Sequence, residues 1–360
     1  MPSGDYPVPV TVTLADLTTF RVGGPVGRLV EATSEAEIVE TITAADDGGE
    51  PVLVLGGGSN VLADDAGFDG VLVRDARHEI ALESEDACGG AAFWVSAGMP
   101  WDDVVVRAVS EGWSGIEALA GIPGSTGATP VQNVGAYGQE VGDVVAAVRT
   151  WDRQERRIRT LARGELELGY RTSLLKRSLR RDDGWYPTPR FVVLRVMFQM
   201  RLATRSEPIR YSELARTLGV EIGDRVDAAE VRAAVLDLRR GKGMVLDAAD
   251  HDTWSAGSFF TNPILAADTV LPDGAPRFEA GDGHVKTSAA WLIQAAGFAK
   301  GFALPGSAAA LSSKHALALT NRGGASSADL LALARTVRDG VREAFSITLE
   351  PEPLVLSTTL

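Results

Sequence analysis

The 360-residue chain holds one cysteine, Cys88. A single thiol cannot form an intrachain disulfide, and a thiolate metal site needs more than one, so both kinds of staple are excluded. Histidine is almost as scarce. His78, His251, His284 and His315 stand apart, with no HExxH-type ligand spacing. No stretch approaches the roughly 20 apolar residues of a membrane helix. Residues 1–9 are short, polar and proline-rich, without the apolar core of a signal peptide, so a cytoplasmic location is the default expectation. Positive charge is in deficit: Lys plus Arg is 35 against 48 for Asp plus Glu, a net charge of −13. That balance disfavours general affinity for nucleic acid or an anionic membrane, while leaving room for a local basic pocket.

What is present belongs to an ordinary globular protein. Hydrophobic residues make up 45% and charged residues 23%, which excludes disorder, collagen and coiled coil. The length predicts two or three domains. Ser34-Glu35-Ala36-Glu37 is a capping box that opens a helix ending near Gly48-Gly49. Residues 51–55 form a buried strand running straight into a glycine cluster, and 71–73 and 93–96 are further strands. A short helix covers 101–111. Eight glycines between Gly112 and Gly142 exclude a regular element there. Interleaved Ile116, Leu119, Ile122, Val131, Val134 and Tyr137 predict an ordered, packed loop system instead. Residues 144–151 and 191–200 are strands of the same half. Val231, Ala234, Val235 and Leu238 mark a helix over 227–240. Helices are expected over 286–296 and 326–345, the latter capped at Ser326 and Asp329, and a final strand at 347–349. The composition shift sets a boundary near 205–225, with a mixed α+β unit before it and a smaller one after.

Five segments carry candidate chemistry. Gly56-Gly57-Gly58-Ser59-Asn60 sits at a strand end, where clustered glycines let backbone N–H groups approach an anion. It matches neither the GxGxxG nor the GxxxxGK[ST] fingerprint. Residues 122–138 hold a second glycine-rich loop, charge-poor and with hydroxyls at Ser125 and Thr126. Two such loops suit a pyrophosphate held by backbone amides rather than lysines, and the carboxamides of Gln132 and Asn133 suit a flat heterocycle. Gly169-Tyr170-Arg171 offers a guanidinium that can grip a carboxylate in bidentate fashion. Ser258, in Ser255-Ala256-Gly257-Ser258-Phe259-Phe260-Thr261-Asn262-Pro263, has no nearby histidine, so a hydrolase triad has little support. Leu349-Glu350-Pro351-Glu352-Pro353 places two carboxylates near a strand end. Taken singly, these also read as a turn, a structural loop, a surface arginine, a capping serine and a solvated terminus.

In this order, over roughly residues 17–352, the five segments resemble the UDP-N-acetylenolpyruvoylglucosamine reductases, flavoenzymes of peptidoglycan synthesis. The resemblance rests on GGGSNVL from Gly56, IPGSTGATPVQNVGAYGQE from Ile122, GYR from Gly169, SAGSFFTNP from Ser255 and LEPE from Leu349. It implies an α+β fold: a two-part FAD-binding domain of the PCMH or vanillyl-alcohol-oxidase type over 17–205, then a smaller substrate-binding domain over 206–356, with tails at 1–16 and 357–360. It implies NADPH-dependent reduction, through tightly bound FAD, of UDP-N-acetylglucosamine enolpyruvate to UDP-N-acetylmuramate in the cytoplasm. No metal, nucleic acid, membrane or obligate protein partner is implied.

The resemblance also assigns residues. Gly56, Gly57, Gly58, Ser59, Asn60, Pro123, Gly124, Ser125 and Thr126 would hold the phosphates and ribityl chain of FAD. Gln132, Asn133, Gly135, Ala136, Tyr137 and Gly138 would line its ring system. Arg171 would stabilise an enolate, Glu352 would assist, and Ser258 would donate the proton. A serine is a plausible acid only because the enolate is a strong base in a dry site. Tyr170, Tyr211, Lys242, Asn262, Lys300 and His315 would contact the substrate, the two lysines on its diphosphate. His315 stands where relatives often carry a carboxamide. The stretch 243–253 is longer than in some relatives, and the sequence after Pro353 differs. Two other readings keep the FAD loops: an oxygen-using alcohol oxidase, which has no use for Arg171, Ser258 and Glu352 together, and a flavin-binding regulator without catalysis, against which the intact trio argues.

Overall fold

Val71, Leu72 and Val73 are an unbroken apolar run with no exposed member, the pattern of a strand covered on both faces. In the computed structural model, which describes residues 12–179, 184–281, 283–356 and 360, they lie in the strand Phe68–Asp75. This strand is the middle one of a parallel sheet, flanked by Val26–Ala32 and Val52–Val54. The helix Glu35–Gly48 links the two flanking strands. Ser34 caps it by accepting a hydrogen bond from Glu37 N, and Gly49 closes it in the left-handed region at φ 67°. Ile38, Ile42 and Ala45 pack at helical spacing onto Val52, Val71 and Val73.

A second, antiparallel sheet runs in the order Arg157–Ala162, Val145–Asp152, Phe191–Leu202, Gly90–Ser96, Ile80–Asp86. Trp151, Val192 and Leu194 complete the core beneath the parallel sheet. Phe93 and Phe198 face a larger core with Trp101 of the helix Trp101–Glu111. The glycine-rich stretch is ordered, as its apolar residues predict. Buried Glu117 pins it, accepting hydrogen bonds of 2.8 Å from Gly115 N, Gln139 Nε2 and Glu207 N. The expected α+β architecture with two sheet-based parts is therefore present.

Further along, the helices Ala289–Ala295 and Ser327–Phe345 pack with the hairpin of Ala309–Leu311 and Leu319–Asn321 around Phe259, Phe260 and Leu349. Phe20, Val22 and Leu62 reach into this core from the first half. In the other direction, Ile209, Leu214, Val231 and Val235 pack into the core of the antiparallel sheet, carrying the helices Ser212–Leu218 and Ala228–Gly241 with them.

Two expected elements shift. The helix expected over 286–296 begins at Ala289, because Lys286 pairs with Ile264 and Phe278 in a small sheet and Ser288 caps the helix. The strand expected at 347–349 has no partner strand among the described residues. The last strand is Leu354–Val355, parallel to Val61–Leu62. Of the expected tails, residues 1–11 and 357–359 lie outside the described residues, while Leu14 is fully buried in a helical turn, Leu14–Leu17.

Candidate active site

The strand Val52–Val54 ends at Leu55, whose N–H still pairs with the Val73 carbonyl. From there the chain turns through Gly56-Gly57-Gly58-Ser59-Asn60, and none of these five backbone N–H groups has a partner among the described residues. Those of Gly124 and Ser125 have none either. The two glycine loops touch: Ser59 Oγ donates to the Pro123 carbonyl at 2.8 Å. A Cβ on Gly57 would lie 2.7 Å from Gly124 Cα, so no larger residue fits there. Unused N–H groups on paired glycine loops make a concave anion nest, and these residues fit the pyrophosphate of a dinucleotide.

The nest opens on a cleft of about 1430 Å³. That exceeds the roughly 300–1,000 Å³ of a single ligand site, so flavin and a second ligand can share it. Nineteen of the expected site residues line it: the five of the first loop, Pro123, Gly124, Ser125, Gln132, Gly135, Ala136, Tyr137, Arg171, Tyr211, Lys242, Ser258, Asn262, His315 and Glu352. Thr126, Asn133, Gly138, Tyr170 and Lys300 do not. Thr126 is buried and donates to the Met99 carbonyl at 2.9 Å. Asn133 is buried too. Its Nδ2 donates to Glu140 Oε2 at 2.8 Å, and its Oδ1 accepts from Gly142 N at 2.9 Å. Both shape the loop from behind. Gly138 backs onto Arg210. The Tyr170 hydroxyl accepts a 3.3 Å bond from Asn262 N, and the Lys286 ammonium lies 4.6 Å from its ring centre. Lys300 sits in an adjoining depression with Lys242, Lys314 and His315.

At the centre, Arg171 Nε lies 3.2 Å from Glu352 Oε1, with both side chains largely buried. Gln132 Nε2 donates to the same oxygen at 3.1 Å, and Asn60 Nδ2 donates to Gln132 Oε1 at 2.9 Å. This carboxamide chain ties the carboxylate to the glycine loop. The Arg171 guanidinium is also held from below, donating to the carbonyls of Gly135 at 2.9 Å and Asn133 at 3.3 Å. Burial raises the carboxyl of Glu352 above its ordinary value, and Arg171 and Lys176 oppose that rise. Ser258 arrives by strand-like pairing: Glu352 N donates to the Phe259 carbonyl at 2.8 Å, and Thr261 N to that of Glu350 at 3.0 Å. Arg171, Ser258 and Glu352, far apart in sequence, thus line one cleft together.

The opposite wall is cationic and aromatic. Lys242 Nζ pairs with Glu213 at 2.5 Å and sits 5.4 Å from the Tyr137 ring centre. Tyr137 and Tyr211 meet edge to face at 5.5 Å. Burial, with Lys242 and Lys300 nearby, pushes His315 down to about 4, so it is neutral at pH 7. Arg239 and Lys176 also line the cleft, though neither was expected. Arg239 is buried, donates to the Met244 carbonyl at 2.8 Å and has no ion pair among the described residues. Burial pushes its guanidinium down to about 10. A signal for Arg239 existed in its place three residues before Lys242, which caps the helix Ala228–Gly241. Thr19 lines the cleft as well, and its hydroxyl joins the two halves by donating to the Ser255 carbonyl at 2.6 Å.

Comparison with known proteins places two family models on this chain. Residues 26–161 match an FAD binding domain, and 249–356 match the UDP-N-acetylenolpyruvoylglucosamine reductase, C-terminal domain. Fold and cleft thus define an FAD-dependent oxidoreductase. A UDP-N-acetylenolpyruvoylglucosamine reductase of Cutibacterium acnes is 55% identical over 350 residues, 97% of this chain and 90% of that one. One from Saccharopolyspora erythraea is 52% identical, with 96% and 95% covered. The crystal structure of the Thermus caldophilus enzyme aligns with a TM-score of 0.62 at 27% identity, covering 96% and 97%. The chain belongs to the UDP-N-acetylenolpyruvoylglucosamine reductase family.

Proposed function

We propose that this chain reduces the enolpyruvyl group of UDP-N-acetylglucosamine enolpyruvate to give UDP-N-acetylmuramate, with NADPH as donor, in the cytoplasm as a step of peptidoglycan synthesis. The observation that carries the reading is the Arg171–Glu352 pair in a cleft that Ser258 also lines, tied through Gln132 and Asn60 to a backbone nest suited to a dinucleotide. FAD, which the glycine loops of Gly56–Asn60 and Pro123–Ser125 would hold, would supply the two-electron chemistry that links NADPH to the enol ether.

The chain's own residues handle charge and protons. As hydride reaches the methylene carbon, negative charge builds on the neighbouring carbon and its carboxylate. The Arg171 guanidinium, already fixed by two backbone carbonyls, meets that charge without reorganising. Glu352 keeps the guanidinium in place. Ser258 gives the proton that completes the new C–H bond. Lys242 and Lys300, with Tyr211 and Asn262, would grip the diphosphate, offsetting its charge in an otherwise acidic protein. Tyr170 and His315 would complete the substrate wall. We also propose the division at 205/206 between flavin and substrate domains, the helices Ser212–Leu218 and Ala228–Gly241 after it packing back onto the core of the antiparallel sheet.

The test is an anaerobic titration followed in the visible spectrum. Flavin bands should bleach with NADPH and return when the enolpyruvyl sugar nucleotide is added. Bands that return only with air would favour an oxidase. Absence of flavin bands after FAD is supplied would remove the flavin reading altogether.

A further inference from the structure

Lys176 is a half-buried ammonium in the cleft wall with no carboxylate in ion-pair contact among the described residues. It lies on the single helical turn Leu174–Arg177. Ser173, buried at the start of that turn, accepts from Lys176 N at 3.0 Å and donates to the carbonyl of Val131, the residue before Gln132. The turn is thereby locked to the loop that carries Gln132. Lys176 Nζ donates one hydrogen bond, 3.2 Å, to the carbonyl of Arg171. Arg171 itself adopts φ 52°, the left-handed region that a residue with a Cβ enters only when its surroundings hold it there. An ammonium has three N–H donors, and Lys176 uses one of them here.

We propose that Lys176 is a positioning residue of the Arg171–Glu352 pair: it fixes the left-handed turn that aims the guanidinium, and its charge is the second cation facing Glu352. The proposal rests on the reading of that pair as the reacting centre. The charged and titratable groups around Glu352 are Arg171 and Tyr170 on the loop before the turn and Lys176 on the turn, with neutral Gln132 opposite. Burial lowers the Lys176 ammonium from its ordinary value, while Glu352 holds it up and Arg171 pushes it down further. Lys176 and Glu352 thus support each other's charged forms, and removing the lysine leaves Arg171 to offset the burial of Glu352.

The experiment uses the FAD-loaded protein and its variants Lys176→Met, Lys176→Gln and Lys176→Arg, each followed by stopped flow in both half-reactions. In Lys176→Met, bleaching by NADPH should stay within about twofold of wild type, while reoxidation by the enolpyruvyl sugar nucleotide falls on the order of tenfold to a hundredfold. The acidic limb of the reoxidation profile should move up by about one pH unit in the Met and Gln variants and stay in place in Lys176→Arg. Should the Met variant fail to fold, the Gln and Arg variants still separate charge from hydrogen bonding. Equal slowing of both half-reactions, or one unmoved limb in all three variants, overturns the proposal. A wild-type flavin that NADPH bleaches and the sugar nucleotide does not restore fails the reading of the site itself, a different result.

Discussion

Two arginine–carboxylate pairs in this molecule look alike in composition and differ in how they are held. Arg77 meets Asp75 in bidentate fashion, through Nε to Oδ1 at 2.9 Å and through Nη2 to Oδ2 at 2.7 Å. The same guanidinium donates to the Leu194 carbonyl at 2.9 Å and lies 3.4 Å from Glu35. It therefore clamps the parallel sheet to the antiparallel one. Arg171 meets Glu352 at 3.2 Å, Nε to Oε1, in the wall of the cleft, and its two Nη groups donate to backbone carbonyls instead. Fork-to-fork pairing serves architecture, where a saturated guanidinium has nothing left to offer. A pair facing open volume keeps donor capacity for a ligand, and the proposed role of Arg171 draws on that capacity.

The largest expected effect lies on the cleft side. Ser258→Ala should slow reoxidation of reduced flavin by the enolpyruvyl sugar nucleotide by about 10²–10⁴, leaving bleaching by NADPH nearly normal. Arg171→Ala should cost the same half-reaction on the order of 2.7–4 kcal/mol, the loss seen when an oxyanion donor is removed. Single-turnover measurement of each half-reaction checks both, and equal slowing of the two halves would remove the assigned roles. Next comes the architectural pair. Arg77→Met leaves Asp75 buried without its partner and should lower stability to urea by about 3–5 kcal/mol. The refolded protein should keep near-normal half-reaction rates. A large kinetic defect without a stability defect would erase the contrast between the pairs.

The smallest effect concerns His315. Its folded value, held at about 4 by burial and by Lys242 and Lys300, lies below the ordinary 6.5. The unfolded chain therefore binds a proton that the folded one refuses, and stability falls as pH drops through the window from about 6.5 to 4. His315→Gln should flatten that part of the melting-temperature profile. An unchanged slope would mean that the ring is solvated in the folded protein.

Much of this was legible in the sequence because local rules and tertiary demands agree. The helix Ser327–Phe345 begins at its capping box, and Glu35–Gly48 ends at its glycine. The glycine loops, Arg171, Ser258 and Glu352 were legible from their order along the chain. What escaped depends on partners distant in sequence. No local pattern says that residues 354–355, and not 347–349, pair with Val61–Leu62. Asn133 has the right chemistry for a heterocycle, yet its carboxamide turns inward to Glu140 and Gly142. Residue type announces what a side chain can bond, and packing decides which way it faces. Lys176 and Arg239 were missed for the same reason, since a basic residue in a short turn or on a helix is ordinarily a solvated one.

The Glu352 carbonyl accepts from Asn60 Nδ2 across 292 residues of chain, and the strand after it lies down beside Val61–Leu62. Closing a loop of that length costs more entropy than closing the one between the two glycine loops, whose Ser59 and Pro123 are 64 residues apart. The anion nest is thus built within the first 125 residues, while the carboxylate beside it is delivered from more than 200 positions further along the chain.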